Sequence, residues 1–344
     1  MVSSLNVIYP FFEELLGQSQ AVELLSQAIA HQRIAPAYLF TGPPGVGKSL
    51  AARCFAEALF SMPWILHTEG GTKQQTITRL KSNVRQGNHP DLLWVEPTYL
   101  HQGKRISASE AAEMNLKRKS LPQIRLEQIR EITRFLGRPP LEAQRTVVVL
   151  EQTETMAESA ANALLKTLEE PGQATLILSA PGVDALLPTL VSRCQKIPFR
   201  RLSHEAIARV LEIAGYTEIV GQPNLLATAQ GSPGEAIASW KQLQHIPAEL
   251  LQAVVNPPNT MRQSLELARD ISRTLDTDAQ LWLLNHLQHR FWHEQASHAT
   301  LKVLETARRQ ILSYAQSQLV WEVALLTILD ADTIPSRERP SVTG

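Results

Sequence analysis

Four short apolar runs punctuate the first two hundred residues: Ala37-Tyr38-Leu39-Phe40, Leu92-Leu93-Trp94-Val95, Thr146 to Leu150, and Thr175 to Ser179. Each is too short for a stable helix and lacks polar alternation, which is the pattern of strands covered on both faces. The segments between them are helical or loop-like, as the crossovers of a parallel sheet require. One such crossover, Leu50 to Phe60, carries Leu50, Cys54, Phe55, Ala58 and Leu59 at helical spacing. Another, Ile124 to Leu136, reads as an amphipathic helix with Ile129, Ile132 and Leu136 in its apolar stripe. Arg130, Arg134 and Arg138 step along its flank, and with Glu127 and Glu131 interleaved they read as a solvated face before a track for DNA phosphates.

The polar stretch from Thr98 to Ser120, with Lys117-Arg118-Lys119, has no clear period and reads as an insertion without assigned chemistry. After Phe199 the pattern turns helical almost throughout. Glu205 to Ala214, Leu225 to Gln230 and Gly234 to Leu243 predict a small helical domain broken by Gly231-Ser232-Pro233-Gly234, and a second helical region runs from Pro247 to Asp330. The expected architecture is an α/β parallel-sheet domain over 1–200, a helical lid over 201–243 and an all-α domain over 244–344.

Composition sharpens this picture only in places. The 33 Lys and Arg balance the 33 Asp and Glu, so no global field draws the chain onto nucleic acid. The two cysteines, Cys54 and Cys194, lie far apart and fit a reducing compartment. Met1 to Pro10 lacks a leader pattern, and no apolar run is long enough to span a bilayer, so a cytoplasmic protein without membrane association is expected.

The chemistry starts where the first strand ends. Gly42-Pro43-Pro44-Gly45-Val46-Gly47-Lys48-Ser49 is a complete phosphate-binding loop between strand and helix. Glycines let successive backbone N–H groups converge on phosphate oxygens, the lysine adds charge, and the serine hydroxyl binds Mg²⁺. ATP or ADP with Mg²⁺ is the expected cofactor. Hydrolysis also requires acids at the end of a neighbouring strand, and there the chain offers Glu151-Gln152. Glu151 is a candidate Mg²⁺ ligand, whereas neutral Gln152 takes no proton from water, so binding is expected with weak turnover.

Leu150-Glu151-Gln152, the run from Ser159 to Pro171, and Leu190-Val191-Ser192-Arg193-Cys194 together resemble the clamp-loader branch of the AAA+ ATPases. With His89-Pro90-Asp91 included, the match from about Phe12 to Ala238 is most similar to the delta-prime family of bacterial DNA polymerase III. That resemblance implies a RecA-like AAA+ fold with a C-terminal oligomerisation collar. It implies gamma/tau and delta subunits, a sliding clamp and primer-template DNA as partners, and it implies that Arg193 acts as an arginine finger on a neighbour's ATP. Two departures stand out. A lid arginine that senses nucleotide in ATPase members is replaced within Gly231-Ser232-Pro233-Gly234, and the four zinc-binding cysteines of many relatives are missing from Phe60 to Asn88, so no zinc is expected.

His286, His289 and His293 fall near one helical face but sit among Trp282, Leu287, Phe291 and Trp292, which reads as packing rather than a metal site. The alternative function is a self-sufficient ATP-hydrolysing motor of gamma/tau or remodeller type, which the intact loop favours and Gln152 and Gly234 oppose. A scaffold that never binds nucleotide is opposed by Lys48 and Ser49.

Overall fold

A computed structural model of the chain describes residues 8–67, 72–107, 110–111, 121–170, 172–255, 259–293 and 298–333. Lys117-Arg118-Lys119 lie outside these residues. The chain divides into two compact units, Met1–Glu110 with Pro122–Ile237, and Ala111–Leu121 with Ala238–Gly344.

The first unit is built on a parallel sheet. Helix α1 (Ser19–Ala30) leads into β1 (Ala37–Thr41), then α2 (Lys48–His67), α3 (Thr72–Arg85) and β2 (Leu92–Val95). A hairpin of β3 (Tyr99–His101) and β4 (Lys104–Ile106) precedes α4 (Leu126–Leu136), β5 (Thr146–Leu150), α5 (Glu158–Glu169), β6 (Ala174–Ala180), α6 (Pro188–Val191) and β7 (Gln195–Pro198). The sheet order is β2-β5-β6-β1-β7, all neighbours parallel. Every residue of β5 and β6 is buried, because helices cover both faces of a parallel sheet and β-branched and leucine side chains fill the gap. In register, Leu39 faces Leu178 and Val148 faces Leu176. Ile129, Ile132, Leu164 and Leu168 of the crossover helices close the core on one side. The carboxyl ends of β1 and β5 therefore open at one edge, where ligands of such folds sit.

Structure and sequence expectation part in three places. The stretch after Thr98 forms the β3–β4 hairpin, turned by Gln102 and Gly103 at positive φ of 49° and 78°. Two three-residue strands are too short to show a period. The edge strand β7 was not foreseen, since of its four residues only Ile197 is buried. Helix α3 was also missed, being strongly polar along one side. On α4 the expected solvated face holds: Arg130, Arg134 and Arg138 are exposed, and Glu131 takes Arg105 of the hairpin in an ion pair.

His89-Pro90-Asp91 has a structural use. The buried Asp91 carboxylate accepts N–H bonds from Leu141, Glu142 and Ala143 at 2.7, 2.8 and 2.7 Å, ordering the loop that feeds β5. His89 accepts the Asp91 N–H through Nδ1 and stacks on Phe60 with centroids 4.2 Å apart, and burial lowers its pKa.

Helices α7 (His204–Ile213), α8 (Thr217–Val220) and α9 (Pro223–Ala229) complete the first unit, and the division falls within α10 (Pro233–His245). Ser203 caps α7 through its hydroxyl. The second unit holds α11 (Ala248–Val255), α12 (Met261–Thr274), α13 (Thr277–His293), α14 (His298–Leu312) and α15 (Ser317–Thr333). Its core gathers Leu267, Ile271, Leu283, Leu284, Leu304 and Trp321. Buried Trp321 donates its indole N–H to Gln280 at 3.0 Å, as a buried indole must. His286 stacks on Trp282 with centroids 5.0 Å apart. Among the described residues no helix is long and apolar enough to cross a membrane.

Candidate nucleotide-binding site

The loop from Gly42 to Ser49 joins β1 to α2, with Gly42, Gly45 and Gly47 at φ of 153°, 71° and 104°. The last two lie where an L side chain is strained. Space is equally restrictive: a Cβ on Gly42 would lie 2.4 Å from the Phe199 carbonyl oxygen, and one on Gly45 would lie 2.5 Å from Ser232 Oγ.

Every carbonyl of the loop from Gly42 to Val46 accepts a hydrogen bond. Lys48 Nζ donates to the Gly42 and Pro43 oxygens at 2.5 and 2.6 Å. Ser232 Oγ donates to Pro44 O at 2.8 Å, Gly234 N–H to Gly45 O at 3.0 Å, and Gln18 Nε2 to Val46 O at 3.1 Å. The stretch expected to lack the sensing arginine thus contacts the loop backbone. Gly234 brings the start of α10 against the loop backbone, so close that a Cβ there would lie 2.5 Å from Gly45 Cα.

Beside the loop lies a cavity of about 430 Å³ lined by Pro44, Gly45, Gly47, Lys48, Ser49, Leu50, Glu151, Gln152, Glu154, Ser179, Ala180 and Pro181. Strand β5 delivers Glu151, whose N–H is held by Val95 O at 2.9 Å. Gln152 follows in a left-handed conformation, φ 50° and ψ 51°, giving its N–H to Ser179 Oγ at 3.2 Å. The short turn Thr153–Thr155, anchored by the Thr153 hydroxyl on Ser179 O, then sets Glu154 on the same wall.

Burial lowers the Lys48 pKa to about 8, against the pull of Glu154, Glu151 and Glu235, which act to raise it. Partial desolvation holds the Glu154 and Glu235 carboxyls above their ordinary value, with Lys48 opposing in both cases. The Ser49 hydroxyl and the Glu151 and Glu154 carboxylates are hard oxygen donors of the kind Mg²⁺ takes. Among the described residues no group of three or more His, Cys, Asp and Glu is arranged as a metal cage.

The expected site residues divide in two. Pro44, Gly45, Gly47, Lys48, Ser49 and Glu151 line one cavity, with Gly42, Pro43 and Val46 in the same loop. Arg193 does not line it. Just past α6, its guanidinium donates to Thr189 O at 2.9 Å and to Glu169 Oε1 at 2.8 Å, with the two side chains 36% and 52% exposed. Burial pushes the neighbouring Cys194 thiol up to about 11. Sequence reasoning missed Gln18, Glu154, Ser232 and Glu235. An acid two residues beyond Gln152 was the only available signal for any of them.

Two family models match consecutive stretches of the chain. The family model described as DNA polymerase III, delta subunit, matches residues 17–203, and the one described as cyanobacterial DNA polymerase III delta prime, C-terminal domain, matches residues 205–328. The DNA polymerase III subunit delta' of Bacillus subtilis is 31% identical over 191 residues, 55% of this chain and 50% of that protein. The subunit delta' of Pseudomonas aeruginosa is 35% identical over 218 residues, 61% of this chain and 57% of that protein. The chain thus spans about half the length of the curated relatives it matches. A solved DNA polymerase III gamma subunit-related protein from Thermotoga maritima aligns with TM-score 0.52 at 18% identity, covering 91% of this chain and 98% of that one, a likeness of fold alone.

Proposed function

Since the chain belongs to the delta-prime family of DNA polymerase III clamp-loader subunits, we propose that it holds Mg-nucleotide in the Lys48 cavity and lends Arg193 to a neighbour's ATP. The observation that carries this reading is the convergence of a complete phosphate loop, Ser49 and Glu151 on one cavity from which Arg193 is absent. In this reading 1–200 binds nucleotide, 201–243 is its lid, and 244–344 joins the subunit to gamma/tau and delta partners in the complex that sets a sliding clamp on primer-template DNA.

The phosphate chain lies along the loop, where N–H groups and Lys48 neutralise it. Mg²⁺ would be held by the Ser49 hydroxyl and the Glu151 carboxylate, and would supply positive charge that screens the phosphates. Gln152, a neutral amide, takes no proton from water. A self-sufficient motor is the second reading, and one observation favours it: Glu154 lines the same wall.

The test uses the lysine. With its pKa near 8 in the free chain, Lys48 is charged below that pH and must take up a proton to bind phosphate above it. ADP affinity is therefore expected to be flat below about pH 7 and to fall by up to about tenfold per pH unit above 8. Titration of fluorescent ADP from pH 6.5 to 9.5 reads this directly. An undiminished affinity at pH 9.5 contradicts a lysine held at a lowered pKa against the phosphates.

A further inference from the structure

We infer that Gln18, Ser232 and the backbone of Gly234 are positioning groups that aim the N–H groups of the phosphate loop from outside the cavity; this rests on the nucleotide reading above. The peptide plane couples each loop carbonyl to the N–H that follows it. In a trans peptide the C=O of one residue and the N–H of the next point in opposite directions, and no cis peptide bond occurs among the described residues. Fixing a carbonyl therefore fixes the next N–H. Ser232 holds Pro44 O and so sets the Gly45 N–H. Gly234 holds Gly45 O and sets the Val46 N–H. Gln18 holds Val46 O and sets the Gly47 N–H. Three successive donors are thus oriented by three groups that lie behind the loop.

Gln18 is built for this role. Its side chain is 3% exposed. The Oε1 atom accepts the Arg200 N–H at 3.0 Å while Nε2 donates to Arg200 O at 2.7 Å and to Val46 O at 3.1 Å. That reciprocal pair leaves the amide one orientation, since a flip would set its N–H groups against the Arg200 N–H and its oxygen against two carbonyls. The remaining N–H has one direction, onto Val46. The same side chain also ties the loop to residue 200, where the chain leaves β7 for the lid helices. Ser232 is equally committed, giving its hydrogen to Pro44 O while its oxygen caps the Glu235 N–H at 3.2 Å.

Preorganisation of this kind raises affinity for a ligand that uses the aimed donors and leaves other contacts alone. The experiment compares ADP with AMP on the full chain by displacement of a fluorescent nucleotide. Gln18→Met keeps the volume and removes all three bonds; Gln18→Glu keeps the acceptor for Arg200 N–H and removes the donors to Arg200 O and Val46 O. Each is expected to weaken ADP about tenfold while AMP, which lacks the phosphate seated in the loop, changes less than twofold. Equal weakening of ADP and AMP, or unchanged ADP, overturns the inference. If Gln18→Met does not fold, judged by its melting without nucleotide, Gln18→Glu decides by the same comparison. Absence of ADP binding by the wild-type chain would overturn the nucleotide reading and this inference together, whereas binding with an unaltered ADP-to-AMP ratio in the variants overturns this inference alone.

Discussion

Arg193→Ala is expected to lower ATP turnover at the adjacent site of a reconstituted clamp loader by about 10³-fold, the lower end of what a finger supplied in trans contributes. The ion pair of Arg193 with Glu169 is 2.8 Å long but half exposed on the acidic side, and exposed pairs of this kind contribute at most about 1 kcal/mol. In the proposed role, the guanidinium would exchange Glu169 and Thr189 O for the developing γ-phosphate charge, a charge-assisted, two-pronged contact. Single-turnover hydrolysis with the other sites inactivated measures it. Arg193→Lys should recover only part of the rate, because a point charge lacks the planar fork, and Glu169→Gln should stay within a few-fold of wild type. Full turnover with Arg193→Ala would leave the residue as one half of a surface ion pair.

Lys48→Met is expected to weaken ADP and ATP binding by roughly 100-fold, the scale of one or two charge-assisted bonds. Lys48 is the only cation among the residues lining the cavity, whereas Glu151 and Glu154 both line it. Removing the lysine does more than delete a contact, since phosphates would then face two carboxylates with no compensating charge. In the free chain Lys48 already donates to Gly42 O and Pro43 O, so its head must leave two carbonyls to reach a phosphate. Calorimetric titration of the variant reads the loss, and binding within threefold of wild type would place the nucleotide elsewhere.

The sheet was legible because its central strands are short, uniformly apolar runs: Val147 to Leu150 and Leu176 to Leu178 are buried on both faces, and each run is too short for a helix. The phosphate loop was legible because its chemistry is local, eight consecutive residues between a strand and a helix. The rest of the site is not local. Gln18 and Val46 are 28 residues apart, and Ser232 and Pro44 are 188 apart; nothing in the spacing of a glutamine or a serine announces such a bond. Gly234 is instructive in another way. In sequence it is a missing arginine, a loss. In the fold it is a close approach of helix to loop that only glycine permits. The β3–β4 hairpin and β7 escaped because short, half-polar strands carry no period.

We propose a subunit that holds nucleotide but scarcely hydrolyses it. The direct measurement is on the isolated chain with Mg²⁺: equilibrium binding of fluorescent ATP beside release of phosphate under saturating ATP. Saturable binding, abolished by Lys48→Met, with phosphate release no faster than that variant's background, is the predicted result. Steady multiple-turnover hydrolysis that disappears in Glu154→Gln would contradict it and make the chain a motor in its own right.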